Sequence, residues 1–508
     1  MTEGAANHAI IPFKIESNEF LSETAWLKTD LHRGEIVHLN RSDNVLNRYK
    51  ECFYNSDVYF FPLLNREKRL VGILLLGYER NITKGQCDKH TFLKELLSFA
   101  EIAKENIDQM QQQKDMLNAF IELMASAIDT KSPYTGSHCQ RVPELTKMLT
   151  QVAQDDNIHF PQFKMNKEKW EELHLAAWLH DCGKITTPEY VIDKATKLEA
   201  IYDRIHEVRM RFELLKAQAE VDYWQGLYKD GGSASELKHA LEETLHALDD
   251  EFEFVAQYNV GSEQMEESAI ERLHTIAKRQ WKRTLDNKTG VSWVEKQRAG
   301  RTETLPVMEP LLSDKQVHQI PWERGESPQD VWKESFVLQP SDLKYNRGEL
   351  YNLSIRYGTL NDEERFIIND HIIQTITMLG RLPYPEHLKN IPEIAGGHHE
   401  RMNGKGYPRG LNEDQLSIPA RVMAIADVFE ALTSSDRPYK KAKNLEESLN
   451  IMTHMATSGH IDPKLYLLFL EHEIDQKYAE MFLAPQQIVP VEREAHIQTI
   501  KAHLRTSF

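Results

Sequence analysis

One short polar pair constrains the fold of this chain more than any other feature. His180 and Asp181 directly follow four apolar residues in "AAWLHDCGK", so a helix with this pattern turns both side chains toward the protein interior. Burying a charge without a partner is unfavourable. Two kinds of partner suit these residue types. One is a hydrogen-bonded network in the core, and the other is a divalent metal, because imidazole and carboxylate are common metal ligands.

A second stretch places two histidines side by side. "GGHHERMNGKGYPRG" occupies residues 396–410 and contains His398 and His399. Adjacent residues on a helix point about 100° apart, so both can reach one cluster only from near a helix end. The glycines that follow allow backbone turns that other residues resist. We therefore predict that the pair lies at a helix end and that the following loop lies over the site.

Length and composition indicate a globular protein with several domains. The chain has 508 residues, more than one core usually supports, so we expect two or three domains. A net charge of -17 argues against binding of nucleic-acid polymers or anionic membranes through the overall field. The sequence has no apolar run of about 18 residues and no signal pattern at its start. We therefore expect a cytoplasmic protein without a membrane span.

Residues 1–107 are predicted to form an α/β module. "DVYFFPLLN" and "LVGILLLGYE" are predicted strands joined by a polar turn, and "FLKELLSFAEIAKENI" is a predicted amphipathic helix. This order resembles the C-terminal half of a GAF sensor domain, and a plain α/β packing module fits it equally well. Residues 108–130 are predicted to continue as a linker helix. Its apolar residues share one helical face: Leu117, Phe120, Ile121, Met124 and Ile128.

Residues 200–345 are predicted to be a mainly helical insertion. Leucines at positions 237, 241, 245 and 248 form one helical stripe, and "KDGGS" and "YNVGSE" have the composition of helix breaks. From residue 286 to 345 the helical period is lost and several prolines and tryptophans occur. We expect two or three helices followed by an irregular arm, and few strands anywhere after about residue 130.

Histidine or aspartate recurs inside apolar helical patterns in five separated stretches. They are "SPYTGSHCQRV" (132–142), "LHDCGK" (179–184), "DEERFIINDH" (362–371), the stretch at 396–410, and "AIADVFEAL" (424–432). With the flanking "HDCGKITTPEYVIDK" and "IPARVMAIADVFEALTSSDRPYKKA", this ordered set resembles the HD-GYP family of metal-dependent phosphodiesterases. The similarity covers about residues 115–200 and 345–480. It implies an all-α catalytic domain formed by residues 131–199 and 346–508, with the insertion between its two parts.

The resemblance implies a set of ligands for two divalent metal ions, iron or manganese. The ligands are His138, His180, Asp181, His371, His398, His399 and Asp427, and Asp181 would bridge the ions and act in catalysis. His206 is the alternative to His371. We choose His371 because it lies 398 − 371 = 27 residues before the histidine pair and stands in "TLNDEERFIINDH". His206 is expected to be an ordinary polar residue on the first insertion helix.

Four further residues are implied to act on the substrate. Lys184 would lie near the metals and assist the departing oxygen or hold a phosphate, and its alternative is a surface lysine at a helix end. Arg437 and Lys440, in "DRPYKKA", would contact phosphates, or they form a solvated charge run. Tyr407 would stack on a guanine base or shape the loop.

The implied activity is hydrolysis of cyclic di-GMP by a metal-bridged hydroxide, regulated by the N-terminal module. Two alternatives stay open: a low-turnover cyclic-dinucleotide receptor or signalling scaffold, and an HD-type hydrolase of another nucleotide. The GAF-like module suggests control by a small-molecule ligand or by dimerisation, and we expect a homodimer.

Three residues depart from the family pattern. Tyr134 stands where some members have a carboxylate for a third metal, which favours a two-metal site. Asn403 replaces an aspartate in a turn that tolerates either residue. Pro143 falls inside the expected helix after His138, where it would kink the helix or mark a late start.

Overall fold

The computed structural model describes most of the chain. The described residues are 25–43, 57–64, 68–78, 84–130, 138–229, 233–261, 264–300, 303–328, 332, 336–434 and 442–506. The chain divides into two compact units, Met1–Ala119 and Phe120–Phe508. Across the described ranges, no helix combines the length and the apolarity needed to cross a lipid bilayer.

The first unit contains a small antiparallel sheet. Its elements are α1 (Ala25–His32), β1 (Val37–Leu39), β2 (Asp57–Leu64) and β3 (Leu70–Tyr78). The sheet order is β1-β2-β3, and Phe60 of the central strand pairs with Val37 on one side and Leu75 on the other. Leu27 and Leu31 of α1 are buried in the same apolar cluster. The two predicted strands are confirmed as β2 and β3.

A single helix, α2 (Lys84–Asp129), covers the predicted amphipathic helix and the predicted linker helix. Its predicted apolar face is only partly buried. Ile128 is buried and Ile121 packs against the same core, whereas Leu117 and Phe120 are 48% and 57% exposed. Apolar spacing predicted the helix correctly, and the structure shows that only the C-terminal part of its apolar face is buried.

The second unit is mainly helical. Before the insertion it contains α3 (His138–Asp155), α4 (Lys167–Leu179), a 3₁₀ turn (Cys182–Thr186) and α5 (Glu189–Ile192). After the insertion come α10 (Glu349–Leu353), α11 (Asp362–Asn369), α12 (His371–Leu379), α13 (Ile391–Gly396), α14 (Ile418–Thr433), α15 (Leu445–Thr457), α16 (Pro463–Glu471), α17 (Ile474–Phe482) and α18 (Arg493–Thr506). One apolar core joins both parts, with Leu149, Leu173, Ile394 and Phe429 among its buried residues. Pro143 lies within α3, which continues beyond it to Asp155.

Within its described residues, the insertion contains three long helices, one short helix and two short pairs of strands. The elements are α6 (Ile205–Tyr228), α7 (Ala234–Asn259), α8 (Glu267–Ala277), β4 (Gln280–Arg283), α9 (Trp293–Arg298), β5 (Val307–Pro310), β6 (Gln319–Pro321) and β7 (Leu343–Asn346). The helices and the breaks between them are confirmed. The arm was predicted to be irregular, and this was wrong for the residues of β5 to β7. Strands of three or four residues are too short to show an alternating pattern. His206 is exposed on α6, where its ring contacts Arg209, as predicted.

Buried polar contacts join the insertion to the rest of the unit, and we call these residues the insertion root. Lys194 donates to both carboxylate oxygens of Glu364 at 2.8 Å. Arg204 and Arg211 donate to Glu349, which is 2% exposed. Asn352 and Asn361 complete the root, and Asn361 donates to Asn352 Oδ1 at 2.9 Å. The root therefore connects α6 with α10 and the segment after α5 with α11.

Candidate metal centre

Three of the predicted ligand histidines lie at helix ends. His180 caps the C-terminus of α4, His371 begins α12 directly after α11, and His398 follows the end of α13. In each case the ring Nδ1 lies within hydrogen-bond distance of the carbonyl oxygen three residues earlier. These oxygens belong to Ala177 (2.8 Å), Ile368 and Ala395 (2.7 Å). The last carbonyls of a helix lack an intrahelical partner, so an Nδ1–H donor satisfies them and leaves Nε2 as the free ring nitrogen.

His138 is oriented by a carboxylate instead of a carbonyl. It lies at the N-terminal end of α3, and its Nδ1 is 2.5 Å from Glu430 Oε2. Arg141, one turn further along α3, is 2.7 Å from the other oxygen of Glu430. A carboxylate behind a ligating histidine fixes its tautomer and ring orientation. All four histidines thus have their Nδ1 atoms engaged.

Asp181 presents its two oxygens to two different sets of donors. Its Oδ2 lies 3.2 Å from His138 Nε2 and 3.3 Å from His180 Nε2. Its Oδ1 lies 3.1 Å from His371 Nε2. Asp427, on α14, approaches the first set, with Oδ1 3.3 Å from His138 Nε2. This arrangement is the one a bridging carboxylate requires.

The donor atoms form two compact groups. His138, His180 and Asp181 make one group, and His371, His398 and His399 make the other. Within each group the ligand atoms lie within 4.8 Å of one another. The rings of His180 and His398 are 5.0 Å apart, so the two groups adjoin each other. The structure therefore brings all seven predicted ligands together.

Several buried polar atoms of the centre have no hydrogen-bond partner. They are His371 Nε2, His398 Nε2 and Asp181 Oδ1. Their residues are at most 3% exposed. Leaving such atoms unpaired in a core costs free energy, so native proteins seldom do so without a reason. Two imidazole nitrogens and a carboxylate oxygen that face one another suit a divalent metal ion.

The surroundings shift the pKa values of His398, His399 and Asp181 toward the metal-binding forms and the pKa of His138 toward the protonated form. Burial lowers the pKa of His398 to about 4 and that of His399 well below its usual value. Burial opposes ionisation of Asp181, but the Lys184 ammonium and the adjacent His180 hold the pKa of the carboxyl well below its usual range. Burial also disfavours a charged His138, yet the Glu430 carboxylate outweighs it and raises the pKa of His138. Neutral imidazole and ionised carboxylate are the forms that bind metals.

Lys184 lies beside the Asp181 carboxylate. Its Nζ is 2.5 Å from Asp181 Oδ2, and its side chain is 26% exposed. The Coulomb attraction of Asp181 outweighs the effect of burial and raises the pKa of Lys184. The 3₁₀ turn that carries it packs closely on α12, because Gly183 donates its N–H to Thr375 Oγ1 at 2.9 Å. A Cβ at Gly183 would lie 1.9 Å from the carbonyl oxygen of His371, so this approach requires glycine.

The loop after the histidine pair folds around a buried carboxylate. Glu400, 1% exposed, accepts hydrogen bonds from the backbone N–H groups of Arg409, Gly410 and Leu411. The Tyr407 ring stacks on His399 with centroids 4.9 Å apart. One face of Tyr407 is therefore used within the protein, which favours the loop-shaping role over stacking on a base.

Three residues singled out from the sequence lie outside the described residues. Arg437 and Lys440 fall in 435–441, and Tyr134 falls in 131–137. The substrate contacts of the first two and the metal count inferred from the third stay predictions.

Sequence reasoning missed three residues that support the centre. Glu430 and Arg141 orient His138, and Glu400 organises the loop. Glu430 had a detectable signal, since it follows Asp427 by three residues and so shares its helical face. Arg141 and Glu400 carry no such signal, because their partners are chosen by the fold.

Comparison with known proteins agrees with this geometry. A family model described as HD domain matches residues 306–465. The matched range contains His371, His398, His399 and Asp427, whereas His138, His180 and Asp181 lie before it.

Several curated proteins are similar to parts of the chain. A 3′3′-cGAMP-specific phosphodiesterase 1 of Vibrio cholerae is 36% identical over 127 residues, 25% of this chain and 28% of the relative. A cyclic di-GMP phosphodiesterase of Pseudomonas aeruginosa is 37% identical over 114 residues, 22% of this chain and 26% of the relative. Another, from Thermotoga maritima, is 39% identical over 127 residues, 24% and 33% respectively. The chain thus matches a third or less of the length of these relatives.

Proposed function

We propose that this protein is a metal-dependent phosphodiesterase that hydrolyses a cyclic dinucleotide, with cyclic di-GMP as the first candidate substrate. The observation that carries the proposal is the pair of adjoining donor groups, one on each side of Asp181. Two groups of this kind suit two divalent ions, for which iron or manganese is expected from the histidine-rich donor set.

The unpaired ring nitrogens and the free carboxylate oxygen fit such ions. His138, His180 and Asp427 would hold one ion, the three histidines of the second group would hold the other, and Asp181 would contact both. When bound, two such ions supply a water of lowered pKa and offset charge on the phosphate oxygens.

The chain itself orients and completes the site. The carbonyls of Ala177 and Ala395 and the carboxylate of Glu430 each hold a histidine ring at Nδ1. This spares the reaction the cost of ordering the ligands. Lys184 places an ammonium beside Asp181, from where it can hold a phosphate oxygen or assist the departing oxygen. Arg437 and Lys440 are proposed to contact the second phosphate of a cyclic dinucleotide.

A second candidate substrate is 3′3′-cGAMP. Relatives from Vibrio cholerae named for this substrate are as similar to the chain as those named for cyclic di-GMP. Both substrates carry two phosphodiester bonds and differ in one purine, so the metal centre alone does not discriminate between them.

The domain organisation completes the proposal. Residues 1–107 would form a sensory module, residues 108–130 a linker, and residues 131–199 with 346–508 the catalytic domain. The antiparallel sheet of the first unit and the continuous helix α2 are compatible with a signal that passes along the helix. Regulation of hydrolysis by the module and association into a homodimer are parts of the proposal.

The test is a paired measurement of metal content and turnover. The protein is purified under low oxygen, bound metal is counted per chain, and hydrolysis of cyclic di-GMP and of 3′3′-cGAMP is followed. Asp181→Ala is the test variant. Asp462→Ala is the matched control, because Asp462 is also fully buried but accepts hydrogen bonds from Lys464, Leu465 and Arg421 outside the centre.

About two metals per chain and hydrolysis that is lost in Asp181→Ala but retained in Asp462→Ala would support the phosphodiesterase. Two metals without hydrolysis of either dinucleotide would favour a cyclic-dinucleotide receptor. Absence of bound metal from protein reconstituted with iron or manganese would contradict the proposal.

A further inference from the structure

The insertion contacts the loop that follows the histidine pair. The contact segment, residues 336–338, lies in the part of the insertion between β6 and β7. The backbone N–H of Val337 donates to the carbonyl oxygen of Pro408 at 2.8 Å. A Cβ at Gly410 would lie 3.1 Å from Val337 Cγ1, so the segment and the loop are in close contact.

An apolar cluster extends this contact to the helix that carries His371. Phe336, 8% exposed, is buried with Ile372, Ile373 and Ile376 of α12. Tyr407 packs against the same cluster. The cluster therefore includes residues of α12, which begins at His371. It also packs against Tyr407, which stacks on His399.

The loop is held on two sides by different contacts. We call the side that faces Glu400 the inner side and the side that faces the insertion the outer side. On the inner side, the Glu400 carboxylate accepts three backbone N–H groups. On the outer side, the insertion supplies one backbone hydrogen bond and the Phe336 side chain. The Tyr407 backbone N–H donates to the His399 carbonyl oxygen at 3.2 Å, and the Tyr407 ring packs against the apolar cluster that contains Phe336.

We propose that the contact segment of the insertion is a positioning element for the second donor group. Phe336 acts through Tyr407 on His399, and through Ile372 on the helix end that carries His371. Loss of the Phe336 ring removes apolar packing from the cluster behind Tyr407, so the ring that stacks on His399 is held less firmly. The insertion then contributes to the structure of the centre. Its removal weakens ion binding at the second donor group more than at the first.

The kinetic part of this inference rests on the proposed function, but the structural part does not. The test variants are Phe336→Ala and the conservative Phe336→Leu. Phe160→Ala is the matched control, because Phe160 is 7% exposed and lies in the main core away from the loop. Three quantities are measured in the full chain: hydrogen exchange of the amides at 403–411, affinity for Mn²⁺, and kcat and KM for cyclic di-GMP.

For Phe336→Ala we expect faster exchange at 403–411, Mn²⁺ binding to the weaker site reduced about tenfold, and kcat reduced about tenfold to a hundredfold. High Mn²⁺ concentrations should restore part of the lost kcat, and Phe336→Leu should retain most of each property. Phe160→Ala should lower the melting temperature without changing loop exchange or Mn²⁺ affinity.

Two results would overturn the inference. One is a Phe336→Ala variant with normal exchange at 403–411 and normal Mn²⁺ affinity. The other is an identical response of Phe336→Ala and Phe160→Ala in all three measurements. If the unmodified protein hydrolyses no cyclic dinucleotide, the proposed function fails, while exchange and Mn²⁺ affinity still decide whether the segment positions the centre.

Discussion

The metal centre and the insertion root are both buried and both rich in charge, yet their buried polar atoms differ in how fully they are hydrogen-bonded. At the root, Glu349 receives hydrogen bonds from Arg204, Arg211 and the Ser313 backbone. Among the described residues, no buried polar side-chain atom of the seven root residues lacks a hydrogen-bond partner. At the centre, ring nitrogens of two histidines and one oxygen of Asp181 have none.

The difference separates a structural role from a functional one. A buried charge that is fully paired stabilises one arrangement of the chain, and removing its partner is strongly destabilising. Buried polar atoms that the fold leaves unpaired lower stability, and a cluster of them on metal-ligating residue types fits a bound ligand that pairs them. Substitutions at the root should therefore affect stability, whereas substitutions at the centre should affect metal binding and turnover.

The largest effect is expected for Asp181→Asn. This substitution preserves shape and removes the charge that faces both donor groups, so hydrolysis should fall about a thousandfold. The free energy of unfolding of metal-free protein should fall by less than in a root variant, because the oxygen toward His371 has no hydrogen-bond partner and the other oxygen loses its ionic contact with the partly exposed Lys184. Steady-state kinetics and urea unfolding measure the two quantities. A stability loss as large as that of a root variant would contradict the distinction between a structural root and a functional centre.

Glu349→Ala should give the opposite result at the root. It leaves two arginines beside each other without their shared carboxylate, and we expect a loss of about 3 kcal/mol in unfolding free energy. Mn²⁺ affinity of the folded protein should remain normal. Glu207→Ala is the control, because this residue is 3.6 Å from Arg204 but 43% exposed and should change stability little. Lower Mn²⁺ affinity of Glu349→Ala at unchanged stability would contradict the structural role assigned to the root.

Glu430→Gln tests a buried carboxylate whose two oxygens face His138 and Arg141. The neutral amide can no longer hold His138 and Arg141 by charge, so metal affinity should fall about tenfold to a hundredfold. Competition with a chelator measures this change. Glu446→Gln is the control, since Glu446 lies on α15 and contacts His496 instead of a residue of the centre. Equal metal affinity in both variants would show that the carboxylate does not orient His138.

The smallest effect concerns pH at the edge of the root. Burial, together with the charge of Arg204, lowers the pKa of His318 to about 4. The unfolded chain then binds more protons than the folded chain between about pH 6.5 and 4, so stability should decrease as the pH falls through this window. His318→Gln should reduce that decrease by about 2 kcal/mol in urea titrations at pH 4.5 and 7. An unchanged pH profile would mean that His318 is hydrated in solution.

Local patterns predicted much of the fold. The strands β2 and β3, the breaks between the insertion helices and the helix-end position of His398 all follow from spacing and from turn residues. The preference for His371 over His206 also agrees with the geometry, since His371 meets Asp181 whereas His206 is exposed. The strands β4 to β7 were missed because each is stabilised by a partner strand and is too short to show a period.

The sequence by itself determined the kinds of donor and their local settings. A histidine at the end of a helix finds a free carbonyl three residues earlier, so the i−3 contacts of His180, His371 and His398 are local consequences of their positions. Only the tertiary structure decided which donors face each other across Asp181, that Glu430 supports His138, and that residues 336–338 contact the loop at Pro408. Those contacts join residues far apart in the chain, and their partners are selected by packing of the whole unit rather than by any spacing along the sequence.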